Sequence, residues 1–162
     1  MTEKPPTGPT PRYVKPGAFT NRIFNPVVRW LTRRGLSVAG SRELRVVGRT
    51  SGEVRTTAVN LLELDGQRFL VSPRGHTQWV RNLRVVEHGE LRVGRRVEAF
   101  RGVEVADAEK TPILREYLRR WGWEVGQFFD DLTKDASDAE VAAVAPDFPV
   151  FRLEAPSTAP NA

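Results

Sequence analysis

Two residues, Asp65-Gly66, constrain this chain more than any others. They join a long β-rich run, Arg55 to Leu64, to a returning run, Gln67 to Ser72, and an Asp-Gly pair between such runs is the strongest short hairpin signal a sequence carries. Strands joined this tightly are antiparallel, because a parallel pair needs a crossover of a dozen or more residues. Other short runs extend the meander. Glu43 to Val47 precedes it, Glu90 to Val93 and Arg96 to Val105 follow around Gly94-Arg95-Arg96, and Phe148 to Leu153 closes the chain's structured part. There is neither an internal repeat nor a βαβ alternation. The expectation is a mainly β (α+β) domain in which six or so strands, mostly antiparallel, close a small barrel with flanking helices.

Helical patterns fall between these runs. Phe19 to Arg34 carries Phe19, Ile23, Phe24, Val27, Val28 and Leu31 on one face and Arg22, Arg29 and Arg33 mostly opposite. Pro26 breaks or restarts that helix, and Asn25 can cap the second piece. A basic amphipathic helix suits the surface of an anionic membrane, and it equally suits packing over a sheet or across a dimer seam. Thr77 can cap a short helix, Gln78 to Val86, that sets Trp79 and Asn82 about one turn apart with Leu83 and Val86 toward the core. Thr111-Pro112 opens a helix to about Trp121, after which Gly122 and Gly126 loosen the chain around Trp123, Phe128 and Phe129. Ser137-Asp138-Ala139-Glu140 is a capping box for a last helix that ends before Pro146.

At 162 residues the chain fits one domain, expected over residues 18–154. Met1 to Gly17, with five prolines, two glycines and two lysines, is expected to be a flexible tail, as are residues 155–162. No segment has the apolar core of a signal peptide or the roughly 20 residues of a membrane span, so a cytoplasmic home is expected, with or without peripheral attachment through the N-terminal helix. Without cysteine there is no disulfide, thiolate nucleophile or thiolate metal site. The two histidines, His76 and His88, give a zinc site or catalytic triad almost no material, and no metal site or catalytic side chain is assigned. A formal charge of +5 and a pI near 10.2 favour anionic partners. Nucleic acid is not the expected one, since the arginines sit among glycine turns rather than along a groove-spanning helix or an exposed aromatic strand face.

From Val47 to Asn82, glycine-punctuated turns bearing arginines and hydroxyls alternate with the strands. Gly48 and Gly52 bracket Arg49, Thr50 and Ser51, Arg55 stands at the mouth of the next strand, and Arg74-Gly75 closes a third. Arg matches phosphate or carboxylate oxygens in pairs, while hydroxyls and backbone N–H groups complete an oxygen shell. The stretch Gly48-Arg49-Thr50-Ser51-Gly52-Glu53-Val54-Arg55, followed by Ser72-Pro73-Arg74-Gly75 and Trp79-Val80-Arg81-Asn82-Leu83, resembles the deazaflavin-dependent nitroreductase or quinone reductase family of actinobacteria, which uses coenzyme F420. The likeness extends more loosely from about Phe19 to Leu153.

That resemblance implies a split β-barrel of the flavin-reductase type and hydride transfer from reduced F420 to a small electron-poor acceptor such as a quinone, nitroaromatic or enone. It implies that Arg49, Thr50, Ser51, Gly52 and Arg55 hold the phosphate and lactyl part. Thr57, Ala58, Ser72, Pro73, Arg74 and Gly75 line the ring and its side chain, Trp79 walls the pocket, and Asn82 hydrogen-bonds there. Trp123 and Phe128 are the expected cover for a planar substrate. Barrels of this type are often dimers. Relatives often carry Ser-Lys-Gly-Gly where this chain has Pro73-Arg74-Gly75-His76, which keeps the cation and loses a hydroxyl. FMN, also a planar ring with a phosphate, is the alternative cofactor. A carrier or storage protein that binds its cofactor or a lipid without turnover is the alternative function.

Overall fold

The structure is a computed structural model, and residues 40–125, 132 and 135–157 are described below. Six strands, β1 (Ser41–Val47), β2 (Val54–Leu64), β3 (Gln67–Val71), β4 (His88–Val93), β5 (Arg96–Glu104) and β6 (Val150–Glu154), form a closed barrel in the order β1-β2-β3-β6-β5-β4. Every neighbouring pair is antiparallel, including the β1–β4 pair that closes it. Among the described residues three α-helices accompany them: α1 (Gln78–Val86), α2 (Thr111–Val125) and α3 (Asp138–Val144). The mainly β architecture with flanking helices is therefore the one the sequence implies.

The Asp65-Gly66 turn behaves as its residues dictate. Asp65 has φ 50° and Gly66 φ 75°, the pair of positive values that matches a two-residue hairpin to the twist of its strands. Leu64 pairs with Gln67, so the alternation is fixed from the turn outward.

Alternation along β2 and β3 serves two separate cores. Val59, Leu61 and Leu70 point into the barrel with Leu44, Phe100 and Phe151, and α1 lays Val80 and Leu83 over one end of that interior. Leu62, Phe69 and Val71 point outward, where Leu114, Tyr117 and Trp121 of α2 and Val141 of α3 cover them. Close approach of α1 to the wall needs Gly102 on β5, where an added Cβ would stand 3.0 Å from a Leu83 methyl. At the barrel end away from α1, Arg68 and Glu98 form a paired hydrogen bond at 2.8 and 2.6 Å, which holds the Glu98 carboxyl below its ordinary range.

Several details differ from the sequence expectation. β1 begins at Ser41, two residues earlier, and α2 continues past Trp121 and Gly122 to Val125. Thr77 occupies the N-cap position of α1 without capping it by its hydroxyl, which lies 3.4 Å from Ser72 Oγ. The capping box at Ser137 and Glu140 is complete. Among the described residues no helix is long and apolar enough to cross a membrane. The helix expected over Phe19 to Arg34, both tails up to Gly17 and beyond Ser157, and Phe128 lie outside the described residues, as does the side chain of Trp123.

Candidate functional site at the β1–β2 turn

The β1–β2 connection is a six-residue turn, Gly48 to Glu53, closed by Gly48 N–H to the Glu53 carbonyl at 2.8 Å and Gly52 N–H to the Gly48 carbonyl at 2.9 Å. Only glycine fits at 48 without rearrangement, since a Cβ there would come within 2.7 Å of Ser51 Oγ and 3.3 Å of the Glu53 carbonyl. The same position lies 3.8 Å from Cγ of Arg55, so the stem of that arginine runs beside the turn. Arg49, Thr50, Ser51, Gly52 and Arg55 are thus brought together and are all exposed. Among the described residues, no hydrogen bond is made to the backbone N–H groups of Thr50 and Ser51 or to the Thr50 hydroxyl.

Helix α1 braces this turn. Asn82, only 4% exposed, accepts from the Arg49 backbone N–H at 3.2 Å and from Arg49 Nη1 at 2.8 Å, and Gln78 Oε1 accepts from the same Nη1 at 3.0 Å. Gln78 and Asn82, four positions apart on α1, together clasp one guanidinium. Arg55, by contrast, meets Glu53 at 3.2 Å with both side chains largely in water. The two arginines share a neighbourhood and have separate partners.

Other expected site residues are placed differently. Thr57 has the parity of Val59 and faces the barrel interior, while Ala58 has the parity of Leu62 and faces outward, so the two are on opposite faces of β2 and do not line one surface. Ser72 is 1% exposed and its hydroxyl donates to the Gly75 carbonyl at 2.6 Å. It shapes the Pro73-Arg74-Gly75 loop from inside, with Pro73 and Arg74 half-buried. Trp79 is half-buried and packs its ring against Phe151, centroids 5.9 Å apart. Asn82 reaches the turn and Trp79 the barrel interior, so these two turn to different neighbours.

His76 accepts from Arg84 Nη1 at Nδ1, 3.0 Å, with Nε2 3.3 Å from the Pro146 carbonyl. Arg84 is itself forked onto Glu104, a contact that raises its pKa. Near Arg84 a cavity of about 140 Å³ lies between α1 and β5, lined by Leu83, Glu87, Gly102 and Phe151 among others. It is not at the β1–β2 turn, whose donors open directly to solvent. No group of three His, Cys, Asp or Glu side chains among the described residues is arranged to hold a metal.

Gln78 is the residue that sequence reasoning missed. Its spacing of four from Asn82 marked a shared helix face, and nothing in the sequence said that this face meets Arg49, 29 residues earlier.

A closed antiparallel barrel of six strands with flanking helices and an arginine-bearing glycine turn at one end is the split-barrel fold of the flavin and F420 reductases. The chain belongs to the F420H(2)-dependent quinone reductase family, whose model matches residues 32–125. Solved structures share the fold at low identity. A protein of unknown function from Agrobacterium tumefaciens is 19% identical with a TM-score of 0.55; the match covers 91% of this chain and 60% of that one. An F420-H2 dependent reductase is 16% identical with a TM-score of 0.50, over 71% of this chain and 94% of that one. HutZ, a heme storage protein from Vibrio cholerae, is 14% identical with a TM-score of 0.51, over 82% and 89%. No curated protein matches the sequence. This chain spans about three fifths of the length of the Agrobacterium protein.

Proposed function

We propose that this protein is an F420-dependent reductase that passes reducing equivalents to a small electron-poor acceptor, a quinone first and a nitroaromatic or enone by the same chemistry. Family membership supports the cofactor class. The observation that carries the reading to particular residues is the turn itself. An arginine held without a carboxylate stands beside free backbone N–H groups in a glycine loop, a donor set suited to an anion.

Those residues fit the anionic part of F420. Arg49 and the N–H groups of Thr50 and Ser51 would hold its phosphate, with the Thr50 hydroxyl and Arg55 adding donors. Arg74 and Gly75 stand in the loop before α1, which the same helix joins to the turn. When bound, the reduced deazaflavin supplies a hydride from its ring carbon. The protein's contribution is binding and orientation, and this requires no nucleophile. A planar acceptor is assigned to the Trp123 and Phe128 region from the aromatic side chains of that stretch alone. The domain would run over residues 18–154.

HutZ, sharing the fold, supports a second reading in which the barrel binds a cofactor without turnover. Titration of the purified protein with F420 and with FMN, followed by steady-state oxidation of reduced F420 against a panel of quinones, nitroaromatics and enones, separates the readings. Saturable F420 binding with quinone turnover is expected. Binding without turnover of any acceptor would make the chain a carrier, and tighter FMN binding would change the cofactor.

A further inference from the structure

Arg68, Arg84, Arg119 and Arg152 are each fixed by bonds from two nitrogens to one carboxylate, of Glu98, Glu104, Glu116 and Glu154, and Arg115 and Arg120 are fixed by a carboxylate, of Asp138 and Glu116, together with a backbone carbonyl. Such an arginine is ordered, and its charge is matched by its partner. An arginine left in water keeps its charge and must lose rotamer freedom to bind anything. Arg49 escapes both conditions. Two neutral amide oxygens hold it, and both bonds come from Nη1. A guanidinium has five N–H donors, so those on Nε and Nη2 stay unused among the described residues.

We infer that Gln78 and Asn82 are positioning residues that hold the Arg49 guanidinium ready for an anion while leaving its charge uncompensated. The inference rests on the proposed F420 site and adds to it why amides, rather than carboxylates, face the turn from α1. Asn82 Oδ1 binds the Arg49 backbone N–H and its side chain together, so one buried atom fixes both the turn and the cation it carries. Gln78 supplies the second point of attachment from the exposed side. A carboxylate at either position would make the same bonds and cancel the charge, converting Arg49 into a closed ion pair like that of Arg68.

The test compares Gln78→Glu with Gln78→Ala, each checked for an unchanged melting temperature, by fluorescence titration with F420 across a salt series. Gln78→Glu is expected to lose about ten-fold or more in affinity and to bind with a flatter salt dependence, because one uncompensated cation has been cancelled. Gln78→Ala keeps the cation and loses one neutral bond, so it should weaken binding only about two- to three-fold with the wild-type salt dependence. Asn82→Asp should repeat the Glu result if it folds. Equal losses in the Glu and Ala variants, or a Gln78→Glu protein that binds as wild type does, would overturn the inference and leave the F420 site standing. Failure of the wild-type protein to bind F420, or undiminished binding by Arg49→Ala, would instead remove the site and the inference with it.

Discussion

Arg55 offers the cleanest probe of the turn, because its contributions to folding and to binding separate. Its one described ion pair, to Glu53 at 3.2 Å, joins side chains that are 63% and 72% exposed, and pairs of that kind contribute about 0–1 kcal/mol. Arg55→Ala should therefore fold normally, with a melting temperature lowered by no more than about 2–4 °C. Binding is another matter. A charge-assisted hydrogen bond to an anion contributes about 1.5–3 kcal/mol, so F420 affinity should fall about 10- to 150-fold. Glu53→Gln acts in the opposite direction: it removes the competing carboxylate and should tighten F420 binding about two-fold, by a fraction of the pair's worth. Both differences should narrow as salt rises, since the site is open to solvent. Fluorescence titration of the three proteins at low and high ionic strength measures all of this. A folded Arg55→Ala protein with wild-type affinity would refute the placement of the anion beside the β1–β2 turn.

Three further outcomes concern the frame. Arg119 and Arg120 hold the Glu116 carboxyl down to about 2, below its ordinary 4.5. Its stabilisation is thus complete above the ordinary value and lost as pH falls toward about 2, so the gap in melting temperature between wild type and Glu116→Gln should be present at neutrality and close in acid. A gap independent of pH would contradict the assignment. Gly102→Ala sets a Cβ 3.0, 3.1 and 3.3 Å from three Leu83 atoms and should cost about 1–3 kcal/mol in urea unfolding; an unaltered midpoint would mean that α1 shifts freely. Lys110, 3% exposed, joins Asp107 at 2.6 Å to the Ala145 carbonyl at 3.0 Å. Lys110→Met removes the ammonium's bonds to Asp107 and to that carbonyl, which keeps only the Phe148 N–H at 3.1 Å, and should cost about 1–3 kcal/mol, measured the same way, with no loss of stability counting against it.

Local chemistry made much of the fold legible. The Asp65-Gly66 hairpin, the Ser137 capping box and the bounds of α1 depend on residues within a few positions of one another, and the structure has them where the sequence implied. Polar residues hid the first two positions of β1, because Ser41 is buried on the barrel's outer face, where solvated groups are expected. Gly122 suggested an end to α2, yet the helix continues, since Trp121 is anchored in the outer core and propensity yields to that packing. At the candidate site, the arginine-glycine pattern identified the turn, whereas the partners of its arginines depended on contacts across 29 and 33 residues that no local pattern encodes. Strict alternation could have separated Thr57 from Ala58; the family likeness obscured it.

One consequence follows from the way neighbouring residues of β2 divide, Leu61 toward the lumen and Leu62 toward the helices. The β1–β2 turn stands at the barrel's end and its brace, α1, packs on the inner core, while α2 and α3 pack on the outer one. Drift in the helical coat can therefore accumulate without detuning the braced turn, so a chain of this build could vary its coat widely and still keep the proposed anion site.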